Sequence, residues 1–162
     1  MKFLKSWHSK IWELLNNLLT LDLPVNKISQ SLALGVFIGL TVPFGLQTLS
    51  VLPIVLLFRC NFPITWSGTL ISNPFTVLPI YIAAVFVGER VTGIKVSFEE
   101  INNMINNPLL NSLGNFGFDT IMVLVSGTMV MGVVLSVTVY YLSFFLITWH
   151  RERIKQHSDI YP

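Results

Sequence analysis

Two long stretches without a charged side chain occupy the middle of the chain, Ser31–Phe58 and Asn61–Gly88, each of 28 residues. About 20 consecutive apolar residues are enough for a helix to cross the roughly 30 Å hydrocarbon layer of a bilayer. Both stretches exceed that length, and both are interrupted by residues that disfavour helix, the first by Pro43 and Gly45 and the second by Pro74. The pattern therefore predicts two broken helical segments at membrane depth, together spanning residues 31–88.

Each interrupted stretch fits two courses through a membrane. It is either a single crossing with a kink or a re-entrant hairpin that enters and leaves on the same side. Pro43 has no amide hydrogen, so the carbonyl four residues earlier loses its helical partner, and Gly45 lets the backbone turn. Pro53 and Pro79 are predicted to be further break points beside Pro74.

The clearest crossing follows near the end of the sequence. Thr120–Trp149 is 30 residues long without a charge, which as a helix is roughly 45 Å and therefore requires tilt or overhang. Residues 1–24 alternate apolar and polar positions with the period of a helix that lies in the membrane interface. Residues 97–118 are predicted to form a short interfacial helix and a loop. The prediction is a single all-α integral membrane domain over residues 1–162.

Charge is scarce and concentrated at the two ends. Charged residues make up 11% of the chain and hydrophobic ones 52%, whereas soluble domains carry roughly 25% charged residues. From this composition we expect the protein to be embedded in a lipid bilayer. Basic residues at both ends place both termini in the cytoplasm by the positive-inside bias. Three simple crossings would separate the termini, so at least one broken stretch is expected to be re-entrant.

Polar side chains beside the breaks are the strongest candidates for a functional site. Backbone groups released inside hydrocarbon need partners from protein or from a water-lined cavity. Gln47, Thr48, Asn73 and Thr76 lie next to the breaks. They either repair the broken helices or line a pathway for a polar substrate, and both interpretations stay open here.

Arg59 is the sole charge between Lys27 and Glu89. Because an arginine in the centre of a bilayer is costly, Arg59 is expected at an interface or in a wet cavity. There it either extends to lipid headgroups or, beside Asn61, binds a phosphate or another anion, since guanidinium matches phosphate geometry.

Other kinds of chemistry are weakly represented. The basic residues form short clusters at the ends and no stripe, so no nucleic-acid partner is expected. One cysteine, Cys60, excludes an internal disulfide and a cysteine-based metal cluster, and we expect no metal, no cofactor and no enzymatic activity. Seams of small residues favour close helix packing within the chain or in a homodimer; they are Gly35/Gly39, Ala84/Gly88 and Gly132/Ser136.

A set of motifs between Ser31 and Gly88 is similar to the bacterial membrane domain-of-unknown-function family 2062. The order and spacing of the motifs match over this range, and the closing helix with its basic tail fits the family's length. The motifs are Ser31–Gly39, Pro43–Thr48, Arg59, Asn61, Pro63, Thr69, Ser72–Thr76, Pro79–Tyr81 and Gly88.

The resemblance implies a location in the bacterial cytoplasmic membrane but no established activity. We expect a small transporter or a lipid-phosphate translocase with its polar site at the two broken segments, and an anionic or phosphate-bearing lipid as a candidate partner. The alternative is a membrane scaffold or accessory subunit for an envelope-biosynthesis enzyme, since some relatives are joined to glycosyltransferase-like domains.

Overall fold

The described residues form helices joined by turns and contain no strand, which confirms the predicted all-α class there. The computed structural model describes residues 23–43, 45–97, 99 and 117–160, with side chains as far as Arg153. The predicted segments at 1–24 and 97–118 lie almost entirely outside these residues. The five helices are α1 (Val25–Thr41), α2 (Gln47–Phe58), α3 (Phe62–Thr69), α4 (Val77–Thr92) and α5 (Phe118–Ile160).

The first break, residues 42–46, reverses the chain. Gly45 has a φ of 99°, a value that glycine adopts without steric cost and that turns α2 back along α1. Gln47 at the start of α2 donates a hydrogen bond to the carbonyl of Gly39 near the end of α1. Beyond the other end of α2, the amide of Asn61 donates to the hydroxyl of Ser31, at 2.9 Å. The helices α1 and α2 therefore form an antiparallel hairpin.

The helices α1 and α3 run side by side in the same direction. A side chain on Gly35 would collide with the backbone of Thr65, and a Cβ on Gly39 would lie 3.0 Å from the Cα of Thr69. Gly35 and Gly39 on α1 therefore meet Thr65 and Thr69 on α3 in the same order, which means that the two helices are parallel. The missing side chains of Gly35 and Gly68 let the two backbones touch.

The helices α4 and α5 are antiparallel and equally close. A Cβ on Gly88 would collide with the carbonyl of Val123, and a Cβ on Gly127 would collide with that of Ala84. Two of the predicted seams of small residues, on α1 and on α4, are therefore occupied inside the fold. Gly132 of the third seam lies against side chains of α1.

The helix α5 is also antiparallel to α1. The hydroxyl of Tyr140 donates to Asn26 at 2.7 Å, and the guanidinium of Arg151 donates to the carbonyl of Leu23 at 2.9 Å. Since α1, α3 and α4 all point the same way relative to α5, the second break, residues 70–76, leaves the direction of the chain unchanged. The two broken stretches, similar in sequence, follow different courses, and Leu23 and Arg151 meet at one end of the bundle.

Two of the predicted break points are wrong. Pro53 lies inside α2 and Pro79 inside α4. Pro79 is the third residue of α4, where amide hydrogens have no partner within the helix, so proline costs little. Pro53 is exposed on the outer face of α2, and the helix continues past it. The breaks coincide with Pro43, Gly45 and Pro74.

Much of the surface is apolar. Within the described residues, the stretch Phe118–Arg153 of α5 is long and apolar enough to cross a membrane. The leucines of α2 point outward, with Leu49, Leu56 and Leu57 between 70 and 77% exposed. Buried side chains form three small clusters. The cluster near the start of α1 contains Ile28, Ile64 and Ile147, and the cluster inside the hairpin contains Ile38, Val51 and Val55. The cluster between α4 and α5 contains Ala84, Val85, Val96, Val123 and Leu124.

Candidate functional site

The two breaks lie at one level of the bundle, where the end of α1 meets the start of the second break. Near the end of α1, a Cβ on Gly39 would lie 3.0 Å from the backbone of Thr69, which ends α3, and 3.1 Å from the side chain of Ile71 in the second break. Irregular backbone from both stretches therefore gathers at one depth. The sequence predicted both breaks but not that they adjoin.

Gln47 repairs the first break. In a continuous helix the carbonyl of Gly39 would accept a hydrogen bond from residue 43, but Pro43 has no N–H to donate. The buried side-chain amide of Gln47 takes that place and donates to Gly39 at 2.9 Å and to Val42 at 3.3 Å. Thr48, the next residue, is exposed on the outside of α2. The repair interpretation therefore accounts for the contacts of Gln47.

Asn73 and Thr76 form a closed network around Pro74. The side-chain oxygen of Asn73 accepts from the amides of Phe75 and Thr76, at 2.9 and 3.2 Å. The hydroxyl of Thr76 donates to the carbonyl of Ile71 at 2.7 Å and accepts from the amide of Asn73 at 3.0 Å. The second break is thus a turn held by its own side chains.

Arg59 and Asn61 lie elsewhere, at the far end of α2. Arg59 follows Gln47 by twelve positions along α2, a distance of roughly 18 Å. Asn61 caps α3 by accepting from the amide of Ile64 at 3.3 Å. Arg59 is exposed and has a left-handed backbone (φ 53°), and its guanidinium makes no hydrogen bond or ion pair with the described residues. The six predicted pathway residues therefore fall into two groups.

Arg59 joins other basic residues at this end of the bundle. Ser31, which bonds to Asn61, lies one turn beyond the exposed Lys27 on α1. Arg151 and Arg153 of α5 lie at the same end, the latter 4.2 Å above the ring of Trp149. We call this the basic end and define it by Lys27, Arg59, Arg151 and Arg153. One acid, Glu152, lies at the basic end between Arg151 and Arg153, so positive charge is in excess there; the opposite end holds Glu89, Arg90, Lys95 and Asp119, two acids and two bases.

A groove of about 450 Å³ opens between α1, the end of α2 and α5. Phe58 and Cys60, the two neighbours of Arg59, line it, and so does Tyr140, whose hydroxyl is bonded to Asn26. Sequence reasoning missed this groove because its walls come from three separate segments. The remaining lining residues are Gln30, Ala33, Leu34, Phe37, Ser136, Val137 and Tyr141.

Comparison with known families identifies relatives but no activity. A family of uncharacterised proteins conserved in bacteria, domain-of-unknown-function family 2062, matches residues 9–156. The chain belongs to this family. No curated protein and no solved structure matches it.

The motifs that resemble family 2062 fall at structurally decisive places in this member. They form the two breaks, the Gly35 and Gly39 contacts with α3, and the joint between α2 and α3 at Arg59 and Asn61. Within the described residues, no group of three or more His, Cys, Asp or Glu side chains is placed to hold a metal ion.

A substitution at Thr76 tests whether its side chain stabilises the second break or binds a substrate. Thr76→Val keeps the shape but removes the hydroxyl that bonds Ile71 and Asn73. We expect a loss of about 1 kcal/mol in unfolding free energy, because the carbonyl of Ile71 and the amide of Asn73 lose a hydrogen-bond partner. Thr76→Ser, which keeps the hydroxyl, should restore most of it. Thermal unfolding in detergent measures both variants, and an unchanged melting temperature in Thr76→Val would contradict the repair role.

Proposed function

We propose that this member of family 2062 is a multi-pass protein of the bacterial cytoplasmic membrane that carries a phosphate-bearing substrate past its two adjoining breaks. The apolar exterior supports the membrane location. Soluble monomers rarely expose a contiguous apolar patch above a few hundred Å². Here the leucines of α2 are exposed, and α5 is long and apolar enough to cross a membrane.

The hairpin of α1 and α2 is re-entrant in this proposal. With 17 and 12 residues, α1 and α2 are roughly 25 and 18 Å long, which is shorter than the hydrocarbon layer of about 30 Å. The segment from α3 through α4 crosses once, and α5 crosses back. The basic end faces the cytoplasm under the positive-inside bias.

The adjacency of the two breaks is the observation that carries transport. Transporters typically hold their substrate near the midplane, where interrupted helices meet. Here the end of α1 touches the end of α3, and both segments lose regular hydrogen bonding at that level. A small separation of the hairpin from α3 would open a polar gap between the two breaks. Arg59 and Lys27 at the basic end would attract an anionic substrate on the cytoplasmic side.

Labelling of single cysteines tests the re-entrant course. In a Cys60→Ser background, Lys27→Cys and Arg59→Cys should react with a membrane-impermeant maleimide from the same side of the membrane. Arg90→Cys should react from the opposite side, because α3 and α4 cross between these positions. If Arg59→Cys reacted from the side opposite Lys27→Cys, the hairpin would be a full crossing and the proposed topology would be wrong.

A reversible cross-link tests transport at the breaks. In the same background, Gly39→Cys with Thr69→Cys places two thiols within disulfide reach. In proteoliposomes we expect oxidation to stop, and reduction to restore, the transfer of fluorescent phosphatidylglycerol between leaflets or the release of trapped inorganic phosphate. The two readouts distinguish a lipid from a soluble substrate.

The matched control links the hairpin to α5 and leaves the contact between the breaks free. Thr41→Cys with Gly132→Cys suits this purpose, since a Cβ on Gly132 lies 2.9 Å from the methyl group of Thr41. Transfer should survive this second cross-link. Equal rates in the oxidised and reduced forms of the first pair, or no flux in either readout with reduced protein, would overturn the proposal.

A further inference from the structure

The groove between α1, the end of α2 and α5 has a polar end and an apolar end. Toward the basic end it carries the side-chain amide of Gln30 and the hydroxyl of Tyr140. The exposed side-chain amide of Gln30 has no hydrogen-bond partner among the described residues. Deeper along α1 the walls are Leu34 and Phe37, faced by Val137 of α5 and by Ser136, whose hydroxyl donates to the carbonyl of Val133 in its own helix. An occupant that satisfies both ends must be amphipathic.

Two cations flank the polar end. Lys27 precedes Gln30 by one helical turn on α1 and is exposed, and Arg59 lies between the lining residues Phe58 and Cys60. No acidic side chain lines the groove. Of the described acids, Glu152 lies nearest along the chain, eleven residues beyond Tyr141 on α5. The charge at this mouth is therefore positive and suits an anion.

Arg59 is held there at some conformational expense. Its left-handed backbone (φ 53°) is one that glycine or asparagine adopts more readily than arginine. The turn between α2 and α3 alone therefore does not call for arginine. A guanidinium at this position is what a phosphate group needs, because its planar donors match two phosphate oxygens.

We infer that this groove binds a membrane phospholipid with an anionic headgroup, the phosphate lying near Lys27 and Arg59 and an acyl chain lying along Leu34, Phe37 and Val137. Its volume of about 450 Å³ is within the range of roughly 300–1,000 Å³ that ligand sites occupy. This inference rests on the proposed membrane location and not on transport.

Cys60 provides a reporter inside the groove. It is the single cysteine of the chain and is half-buried. In detergent-purified, delipidated protein, dioleoyl phosphatidylglycerol should slow the alkylation of Cys60 by N-ethylmaleimide. Dioleoyl phosphatidylcholine should protect less, and glycerol 3-phosphate, the headgroup chemistry without chains, should not protect. Because Arg59 adjoins Cys60, rates with and without lipid are compared as a ratio within each variant.

Matched charge variants make the test specific. Lys27→Gln with Arg59→Asn removes both charges and keeps a residue that accepts the left-handed backbone. Each basic side chain near a membrane surface strengthens the binding of anionic lipid. Losing two should therefore raise the phosphatidylglycerol concentration that gives half-protection of Cys60 by on the order of 30-fold. Arg90→Gln with Lys95→Gln at the opposite end should leave protection unchanged.

Three results would overturn the inference. The first is equal protection by both lipids, and the second is unchanged protection in the Lys27 and Arg59 double variant. The third is a Cys60 that stays unreactive in lipid-free protein, or becomes so with rising protein concentration, which would mean that protein fills the groove. If the single-cysteine labelling agrees with the proposed topology and any of these three results is obtained, the lipid site is wrong while the proposed topology still holds.

Discussion

Replacing Gly127 by alanine is expected to destabilise the protein more than its size suggests. The new Cβ would collide with the carbonyl of Ala84, so α4 and α5 would have to move apart over their whole contact. Overpacking costs about 1–3 kcal/mol and occasionally more; because this collision is with backbone, which cannot rotate away, we place the cost at about 3 kcal/mol, against about 1 kcal/mol gained from better helix propensity. We expect a net loss of about 2 kcal/mol, or about 4–8 °C in Tm for a chain of this size.

Gly132 is the matched control on the same helix. A Cβ there would meet the methyl group of Thr41 at 2.9 Å and the ring of Phe37 at 3.2 Å, and both side chains can rotate away. Gly132→Ala should therefore melt within about 2 °C of the parent, because it loses less than about 1 kcal/mol. Thermal unfolding in one detergent ranks the two variants. Equal melting temperatures would show that α4 and α5 do not touch through their backbones.

Replacing Gln47 by leucine is expected to weaken the hairpin. Leucine has a similar size but no donor, so the carbonyl of Gly39 would lose the hydrogen bond that replaces the missing one from Pro43. An unsatisfied buried backbone group costs about 1–3 kcal/mol, and in the proposed membrane location no water would compensate for it. The predicted result is a loss of about 2 kcal/mol in unfolding free energy, with faster proteolysis between α1 and α2.

Thr48→Val serves as the control for Gln47→Leu. It also removes a polar group from the start of α2, but Thr48 is exposed and its hydroxyl makes no hydrogen bond with the described residues. Its stability should match that of the parent within about 0.5 kcal/mol, as for most surface substitutions. Melting temperature and limited proteolysis are read for both variants. Equal losses in the two would show that Gln47 does not close the break.

The position of the two breaks followed from local chemistry. Proline cannot donate a helical hydrogen bond and glycine permits a turn, and both facts hold whatever surrounds the residue. The same reasoning nominated Gln47 as a partner for the released backbone, and it donates to the carbonyl that Pro43 leaves free. It failed at Pro79, because a proline in the first turn of a helix removes no helical hydrogen bond. It also failed at Pro53, where α2 continues past the proline.

The grouping of the polar residues could not be predicted. Gln47, Asn73 and Thr76 belong to the breaks, whereas Arg59 and Asn61 lie roughly 18 Å away along α2. Sequence separation does not reveal this division, since Arg59 is nearer in sequence to Gln47 than Asn73 is. The groove was missed for the same reason, because residues 33 and 137 become neighbours only when α1 packs on α5.

By itself, the sequence determined an all-helical chain with charge-free stretches, two interruptions at Pro43–Gly45 and at Pro74, and basic clusters at its ends. Tertiary structure alone decided that the first interruption reverses the chain while the second lets it continue. The physical reason is that an interruption lets the backbone turn but does not by itself set the direction of the next helix. That direction comes from backbone contacts between distant segments, Gly35 with Thr65 and Gly88 with Val123, which exist only once the helices are packed.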